Sequence, residues 1–141
     1  MYDQKRYDES LEYYARAAKL SPTDPNVRFD YSTVLKNVGK LDEAEMELNE
    51  AIQLVPDSPI LFRGLGNIML SRNNFKAAIS NYEKALQLGG DKQILINNMA
   101  GAYYVSGEYE DALKCVRMAE TLGIQLHPEL VQNIKAKTDI Y

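Results

Sequence analysis

Residues 62–90 read FRGLGNIMLSRNNFKAAISNYEKALQLGG, and this stretch decides the fold. Its large or apolar residues recur at helical spacing in two runs: Phe62, Leu65 and Met69, then Phe75, Ala78, Ile79, Tyr82 and Leu86. Asn73 and Asn74 separate the two runs, and asparagine favours turns. The stretch therefore predicts two short helices joined by a tight turn.

The same pattern recurs along the chain at an interval of 34 residues. Pro22 and Pro25 recur as Pro56 and Pro59, and other columns keep the same register. These columns are Leu20, Leu54, Leu88 and Leu122; Ala17, Ala51, Ala85 and Ala119; Ser10, Ala44, Ala78 and Ala112; and Tyr7, Leu41, Phe75 and Tyr109. Because unrelated columns agree on one interval, we predict a tandem repeat of helix pairs.

The interval divides the 141 residues, taken as one domain, into units. We predict a partial repeat with only a second helix at 1–24, complete repeats at 25–58, 59–92 and 93–126, and a C-terminal capping helix at 127–141. Asp24 and Ser58 each precede a proline and mark helix starts, since their side chains can cap free backbone amides. Turns inside the repeats are predicted at Gly39–Lys40, Asn73–Asn74 and Gly107–Glu108.

These residues resemble the tetratricopeptide repeat, whose signature is W-x2-L-G-x2-Y, then A-x3-F, then P. The unit 59–92 is the most similar and reads Phe62-x2-Leu65-Gly66-x2-Met69, then Ala78-x3-Tyr82. Arg28 departs from the pattern, in a slot that prefers a large apolar residue, and Gly90 stands where proline is usual. The resemblance spans residues 1 to about 126, about three and a half repeats before the capping helix. It implies an all-α fold, a right-handed α-solenoid of antiparallel helix pairs.

The first unit lacks most of its first helix. Met1 falls in register with core positions of the later units, namely Leu35, Met69 and Tyr103. We expect an exposed face there, made of Leu11, Tyr14 and Ala18. Either the chain was cut from a longer one, or another molecule covers this face; a natural start with a bare helix is the alternative.

Composition argues against several classes of protein. No window approaches the ~18 apolar residues of a membrane span, and residues 1–10 lack the apolar core of a signal peptide, so direct membrane insertion is not expected. The single cysteine, Cys115, cannot form an internal disulfide and favours a reducing compartment such as the cytoplasm. The net charge of -4 argues against a nucleic-acid partner, because phosphate binding needs a concentrated basic surface.

The charge is distributed unevenly among the units. The net charges are -1 for residues 1–24, -4 for 25–58, +3 for 59–92, -2 for 93–126 and 0 for 127–141. One basic unit therefore lies between two acidic ones. Two interpretations remain open, namely solvated helix faces or a site for an acidic segment on the unit 59–92.

No catalytic, metal or cofactor site is predicted. His127 is the only histidine and precedes a proline at a helix start, which is a structural setting. Cys115 lies beside the core column of a second helix, where a buried small side chain is expected. Gly64-Leu65-Gly66 lacks the third glycine, the lysine and the preceding strand of a phosphate loop.

The resemblance places ligand binding in a concave groove that is lined by the first helices and usually takes a peptide. Helix geometry then locates the residues, because those facing away from Phe62, Leu65 and Met69 form the other stripe. The candidate groove residues are Phe29, Thr33, Lys36, Ile60, Arg63, Asn67, Asn97, Asn98, Gly101 and Tyr104. They offer a guanidinium for a carboxylate, amides for peptide groups and apolar surface. The alternative is that they are ordinary exposed helix residues.

Within the family, this stripe is similar to that of co-chaperones that clamp the acidic C-terminal tails of heat-shock chaperones. Arg63, Asn67 and Asn98 match three of the clamp positions. The next two positions should be basic, but Pro128 and Gln132 stand there, so a complete clamp is not expected.

Three functions remain as hypotheses. The first is a non-catalytic module that binds another protein or peptide in the groove, with an acidic segment as one option for the ligand. The second is a structural scaffold, a homo-oligomer that stacks through the N-terminal helix. The third is the regulatory or substrate-selecting part of a larger enzyme.

Overall fold

A computed structural model describes residues 4–139, which form eight α-helices and no strand. The helices are α1 (Gln4–Leu20), α2 (Pro25–Asn37), α3 (Leu41–Leu54), α4 (Pro59–Ser71), α5 (Phe75–Gln87), α6 (Lys92–Val105), α7 (Tyr109–Leu122) and α8 (Pro128–Thr138). Each helix contacts the next one in sequence, and the most extensive contacts are α2 with α3, α4 with α5 and α6 with α7. First helices of successive helix pairs also contact each other, α2 with α4 and α6 with α8, so these pairs are stacked. The predicted all-α solenoid is confirmed, while its right-handed superhelix and the unit boundaries stay predictions.

The turns inside the repeats are built alike. Gly39, Asn73 and Gly107 have positive φ angles of 86°, 59° and 84°. In each turn the next residue's amide donates to a carbonyl five residues earlier, as from Lys40 to Leu35 at 2.8 Å. This is the bond of a Schellman motif, which requires a left-handed residue at the helix end. The turn positions expected from the sequence are therefore correct.

The two proline-marked helix starts differ in their capping. The carboxylate of Asp24 accepts hydrogen bonds from the amides of Asn26 at 3.0 Å and Val27 at 3.4 Å. Ser58 occupies the corresponding position before α4, but its side chain makes no capping bond. The expected helix starts are correct, whereas the capping role expected for Ser58 is wrong because its hydroxyl does not reach the helix amides.

The core follows the small columns of the repeat. Gly66 of α4 lies against the fully buried ring of Tyr82 in α5, and a β-carbon at Gly66 would come within 2.5 Å of that ring. Ala44, Ala78 and Ala112 are fully buried at the equivalent place in each second helix. The expectation that small residues permit close helix pairs is therefore correct for these positions.

Arg28, the departure from the apolar column, is buried at 8% exposure. Its Nη1 lies 2.6 Å from a carboxylate oxygen of Glu47 in α3, and its Nε donates to the carbonyl of Pro22 at 3.0 Å. Glu50 adds a second, more distant carboxylate at 3.7 Å. The slot thus keeps its packing role but is stabilised by an ion pair, because the buried guanidinium finds partners on two neighbouring segments.

The face expected to be bare on α1 is not the one that is exposed. Ala18 is buried and Leu11 packs against the core cluster of the following repeat. The exposed large hydrophobic residues of α1 are Tyr13 at 67% and Leu20 at 84%, while Tyr14, the third residue of the expected face, is half-buried. The prediction for Leu11 and Ala18 is wrong because a second helix also turns one side toward the next repeat. Met1 lies outside the described residues.

One arginine of the basic unit, residues 59–92, pairs with carboxylates of the neighbouring acidic unit, residues 25–58. Arg72, at the end of α4, pairs with Asp42 and lies 3.5 Å from a carboxylate oxygen of Glu45, both in α3. The charge alternation thus joins adjacent repeats at this point. Because the pair is partly exposed, it contributes roughly 1 kcal/mol or less to stability.

We predict opposite effects for alanine at two helical glycines. Gly66→Ala should destabilise the fold by about 1–3 kcal/mol, since the new methyl group meets the buried Tyr82 ring. Gly101→Ala should be neutral or stabilising by up to about 1 kcal/mol, because the nearest atom to its β-carbon would be 4.0 Å away and alanine favours helix. Urea unfolding followed by circular dichroism measures both. Equal destabilisation of the two variants would contradict the packing described here.

Candidate functional site

Arg63 of α4 is held by a ring from the preceding repeat. Its guanidinium carbon lies 4.7 Å from the centroid of the Phe29 ring in α2. The π-face of an aromatic ring attracts a cation, so Phe29 restrains the guanidinium. Arg63 is only partly buried, and none of residues 4–139 forms an ion pair with it. It therefore presents donors for an external carboxylate.

Asn67 lies one helical turn beyond Arg63 and is oriented by a buried phenol. The hydroxyl of Tyr82 donates to Oδ1 of Asn67 at 2.6 Å. Because the oxygen of the amide faces Tyr82, the NH₂ group of Asn67 is directed elsewhere and can donate to a ligand. Asn67 was expected to supply both donor and acceptor, and the structure assigns its oxygen to an internal bond.

Burial raises the pKa of Tyr82 to about 12, and the nearby positive charge of Arg63 opposes part of that increase. The phenol therefore stays protonated at neutral pH and keeps donating to Asn67. Arg63, Asn67, Phe29 and Tyr82 form one connected cluster, which we call the Arg63 cluster.

Three further groove candidates lie on α2 and α4, the helices that carry Phe29, Arg63 and Asn67. Thr33 uses its hydroxyl to donate to the carbonyl of Phe29 in its own helix at 3.0 Å. Ile60 packs partly buried against the core cluster of α2, α3 and α4. Lys36 is half-exposed on α2. Thr33 and Ile60 thus support the helices, and only Lys36 offers a charge.

A second group of candidates lies where α6 meets the segment between α7 and α8. Ile94, Asn97 and Asn98 line a cavity of about 480 Å³ together with residues of that segment. Oδ1 of Asn97 accepts a hydrogen bond from the backbone amide of His127 at 3.0 Å. The Asn98 side chain is half-buried and forms no hydrogen bond within residues 4–139. We call this cavity the α6–α8 pocket.

The last two candidates lie toward the end of α6. Gly101 faces Leu130 of α8, with room for a methyl group. The ring centroid of Tyr104 lies 5.6 Å from that of Tyr109 in α7, and Tyr104 packs partly buried against the core. The candidates thus divide into the Arg63 cluster, the α6–α8 pocket and the Gly101–Tyr104 end of α6.

Sequence reasoning missed three residues around these sites. Tyr82 was assigned to packing alone, although a buried tyrosine needs a partner for its hydroxyl and this could have drawn attention to Asn67. Gln93 and Gln125 line the α6–α8 pocket, and Nε2 of Gln93 donates to the carbonyl of Gln125 at 3.1 Å. No column of the repeat indicates that bond, because it depends on how the last loop folds.

Cys115, the residue weighed as a reactive thiol, is buried in α7. Burial raises the pKa of the Cys115 thiol to about 11, with the negative charges of Asp111 and Glu83 adding to it, so the reactive thiolate is scarce at neutral pH. Within residues 4–139 no group of acidic, histidine or cysteine side chains could hold a metal ion. No helix in that range is long and apolar enough to cross a membrane.

Comparison with solved structures supports the fold. The structure of YrrB, described as a TPR protein with an unusual peptide-binding site, superposes with a TM-score of 0.66 at 21% identity, covering 77% of this chain and 56% of that one. A structure of MamA superposes with a TM-score of 0.72 at 16% identity, covering 96% of this chain and 74% of that one. At these identities the likeness concerns the fold alone. The chain is a helical-repeat solenoid.

Sequence comparison narrows the class to one family. The tetratricopeptide-repeat family model matches residues 1–68. Human protein O-mannosyl-transferase TMTC1 is 32% identical over 101 residues, covering 69% of this chain and 12% of that protein. Intraflagellar transport protein 70B of Bos taurus is 30% identical over 129 residues, covering 91% of this chain and 18% of that protein. The chain is a tetratricopeptide-repeat protein, and its repeats are of the kind that generally serve as non-catalytic protein-interaction modules.

The chain spans less than a fifth of the length of these curated relatives, namely 12% of the human protein and 18% of the bovine one. The similarity therefore concerns a short segment of each relative.

We predict that Tyr82 and Asn67 are coupled energetically. Tyr82→Phe should cost about 1 kcal/mol of stability, since it removes one hydrogen bond and keeps the ring. Asn67→Ala should remove the same bond, so the double variant should be less destabilised than the sum of the two single variants. Chemical denaturation of all four proteins gives the coupling energy. Strict additivity would show that the bond contributes nothing.

Proposed function

We propose that this chain is a non-catalytic module that binds an extended peptide or partner segment along the face of α2, α4 and α6. The observation that carries the proposal is the Arg63 cluster. Arg63 is restrained by Phe29 and pairs with no carboxylate among residues 4–139, and Asn67 is oriented by the buried Tyr82. Side chains fixed before a ligand arrives lose less conformational freedom on binding, which favours affinity.

The chemistry of the cluster favours an acidic group in the ligand. A guanidinium binds a carboxylate through two parallel hydrogen bonds, and the NH₂ group of Asn67 can donate to a peptide carbonyl beside it. YrrB, which shares the fold, is described as having a peptide-binding site. A dissociation constant near 1 μM, about -8 kcal/mol, is ordinary for such a site.

We predict that a charge reversal at Arg63 weakens an acidic peptide selectively. A synthetic array of random 12-residue peptides supplies a binder, which is then titrated by fluorescence anisotropy. Arg63→Glu should raise the dissociation constant about tenfold or more, and the loss should shrink at high salt. Lys76→Glu is the matched control, because Lys76 is exposed on α5 of the same repeat. The proposal fails if no peptide binds, or if Arg63→Glu and the control behave alike.

A second candidate is self-assembly through α1. Tyr13 and Leu20 are exposed beside a concavity of about 520 Å³ on this helix, which another copy could fill. Light scattering should then show a mass that rises with concentration, and Tyr13→Ser/Leu20→Ser should abolish that rise. A constant monomer mass at all concentrations rules out this candidate.

The third candidate, the regulatory or substrate-selecting part of a larger enzyme, is supported by the name of the human relative, an O-mannosyl-transferase. The coding sequence around these residues distinguishes it from the other two. A location in the cytoplasm stays a prediction.

A further inference from the structure

One side of α1 combines exposed apolar residues with charges of both signs. Its residues are spaced three or four apart, which places them on the same face of the helix. Tyr13 and Leu20 are the two most exposed large apolar residues of the described chain. We call this face the α1 stripe; its members line one concavity and are Glu9, Glu12, Tyr13, Arg16, Ala17 and Leu20. Covering its apolar part would remove this surface from water, which is favourable.

The charges of the α1 stripe are separated along the helix. Glu9 and Glu12 precede Tyr13, whereas Arg16 and the adjacent exposed Lys19 follow it. Among residues 4–139 the ion pair of Arg16 is with Glu12, and both side chains are mostly exposed, so this pair contributes little to stability. A second copy of α1 laid antiparallel brings the acidic half of each stripe to the basic half of the other. The α1 stripe is therefore complementary to itself.

One antiparallel register satisfies both charge pairings. When Glu12 of one copy faces Arg16 of the other, Glu9 faces Lys19, because each pair is centred on position 14. The two Tyr13 rings then lie on either side of the two-fold axis, where aromatic side chains pack favourably. Each Leu20 covers the first two turns of the other copy's α1.

The last helix of the described chain presents a different kind of surface. The large apolar residues of α8, namely Leu130, Val131 and Ile134, are half-buried or buried, and most of its exposed side chains are polar. Head-to-tail stacking of α1 on α8 would therefore join an apolar stripe to a polar face. A two-fold contact through α1 alone closes after two copies.

The size of the contact predicts a weak dimer. α1 has 17 residues and is therefore about 25 Å long. A single pair of such helices buries less than the roughly 1,600 Å² of a standard protein interface. Association should therefore be reversible and depend on protein concentration.

We propose that two copies of this chain associate through antiparallel α1 helices, as a weak two-fold dimer with Tyr13 near its axis. The inference sharpens the self-assembly candidate, because it sets the number of copies at two and names the charges that select the partner. It goes beyond the proposed peptide site, since Arg63 is not part of the α1 stripe.

Exchanging the charges of the α1 stripe tests the contact. Light scattering of the native chain should show a mass that rises with concentration and levels off at two copies. Glu9→Lys/Glu12→Lys and Arg16→Glu/Lys19→Glu should each raise the concentration needed for association about tenfold or more, because each stripe then carries one sign of charge. An equimolar mixture of these two variants should associate again.

A matched control separates this effect from a general change of surface charge. Glu83→Lys/Glu110→Lys makes the same change in charge on exposed residues of α5 and α7, and it should associate like the native chain. Circular dichroism confirms that each variant keeps its helices.

Two single cysteine variants measure the orientation of the helices. Under mild oxidation, Glu9→Cys mixed with Lys19→Cys should form a disulfide between copies. Neither variant should do so alone, because equivalent positions 9 of the two copies lie about 15 Å apart along the helices, too far for a disulfide. The native chain, whose Cys115 is buried, gives the background.

Four results of light scattering would each overturn the inference: a constant monomer mass, a mass that rises past two copies, a variant mixture that stays monomeric, or a control as impaired as the stripe variants. Efficient disulfide formation by Glu9→Cys alone would overturn the antiparallel arrangement. None of these results bears on the peptide site, because the titration of Arg63→Glu decides that proposal separately.

Discussion

The contact of Tyr82 with Gly66 is the constraint on which both the fold and the candidate site depend. The ring fills the space between α4 and α5 so closely that any β-carbon at Gly66 would collide with it. The same side chain ends in the hydroxyl that orients Asn67. Packing and the geometry of the candidate site are therefore not independent, because a change in the distance between the two helices would also move the side-chain amide of Asn67.

Where the repeat has an arginine in an apolar slot, an ion pair stabilises the position instead of apolar contact. Arg28 occupies an apolar slot and is bound by Glu47 and by the carbonyl of Pro22, which belongs to the preceding unit. A buried pair of this kind loses much of its attraction to desolvation, so its main effect is to fix the arrangement of the segments that it joins. Arg72 of the unit 59–92 pairs with Asp42 of the unit 25–58 and so links these two units. Acidic residues of 25–58 thus pair with an arginine of the same unit and with an arginine of the following one.

The 34-residue periodicity was enough to predict the helices and their turns, since each repeat has the same helix–turn–helix geometry. The positive φ angles at Gly39, Asn73 and Gly107 belong to the turn that this geometry requires. The site was less predictable. The exposed stripe containing Arg63 and Asn67 could be located by helix geometry, but their restraint by Phe29 and Tyr82 depends on side-chain directions across two interfaces. The α6–α8 pocket depends on a loop that ends the repeat pattern, so no column described it.

The inner surface of a solenoid becomes specific when equivalent positions carry different chemistry. Arg63 and Asn97 occupy the same place in successive repeats, as do Asn67 and Gly101. In the repeat 59–92 the pair presents a cation and a directed donor, whereas in the repeat 93–126 Oδ1 of Asn97 accepts from the backbone amide of His127 and Gly101 leaves space before Leu130. Because the scaffold repeats while the side chains do not, equivalent positions of the two repeats present a charged surface in one and a neutral surface in the other.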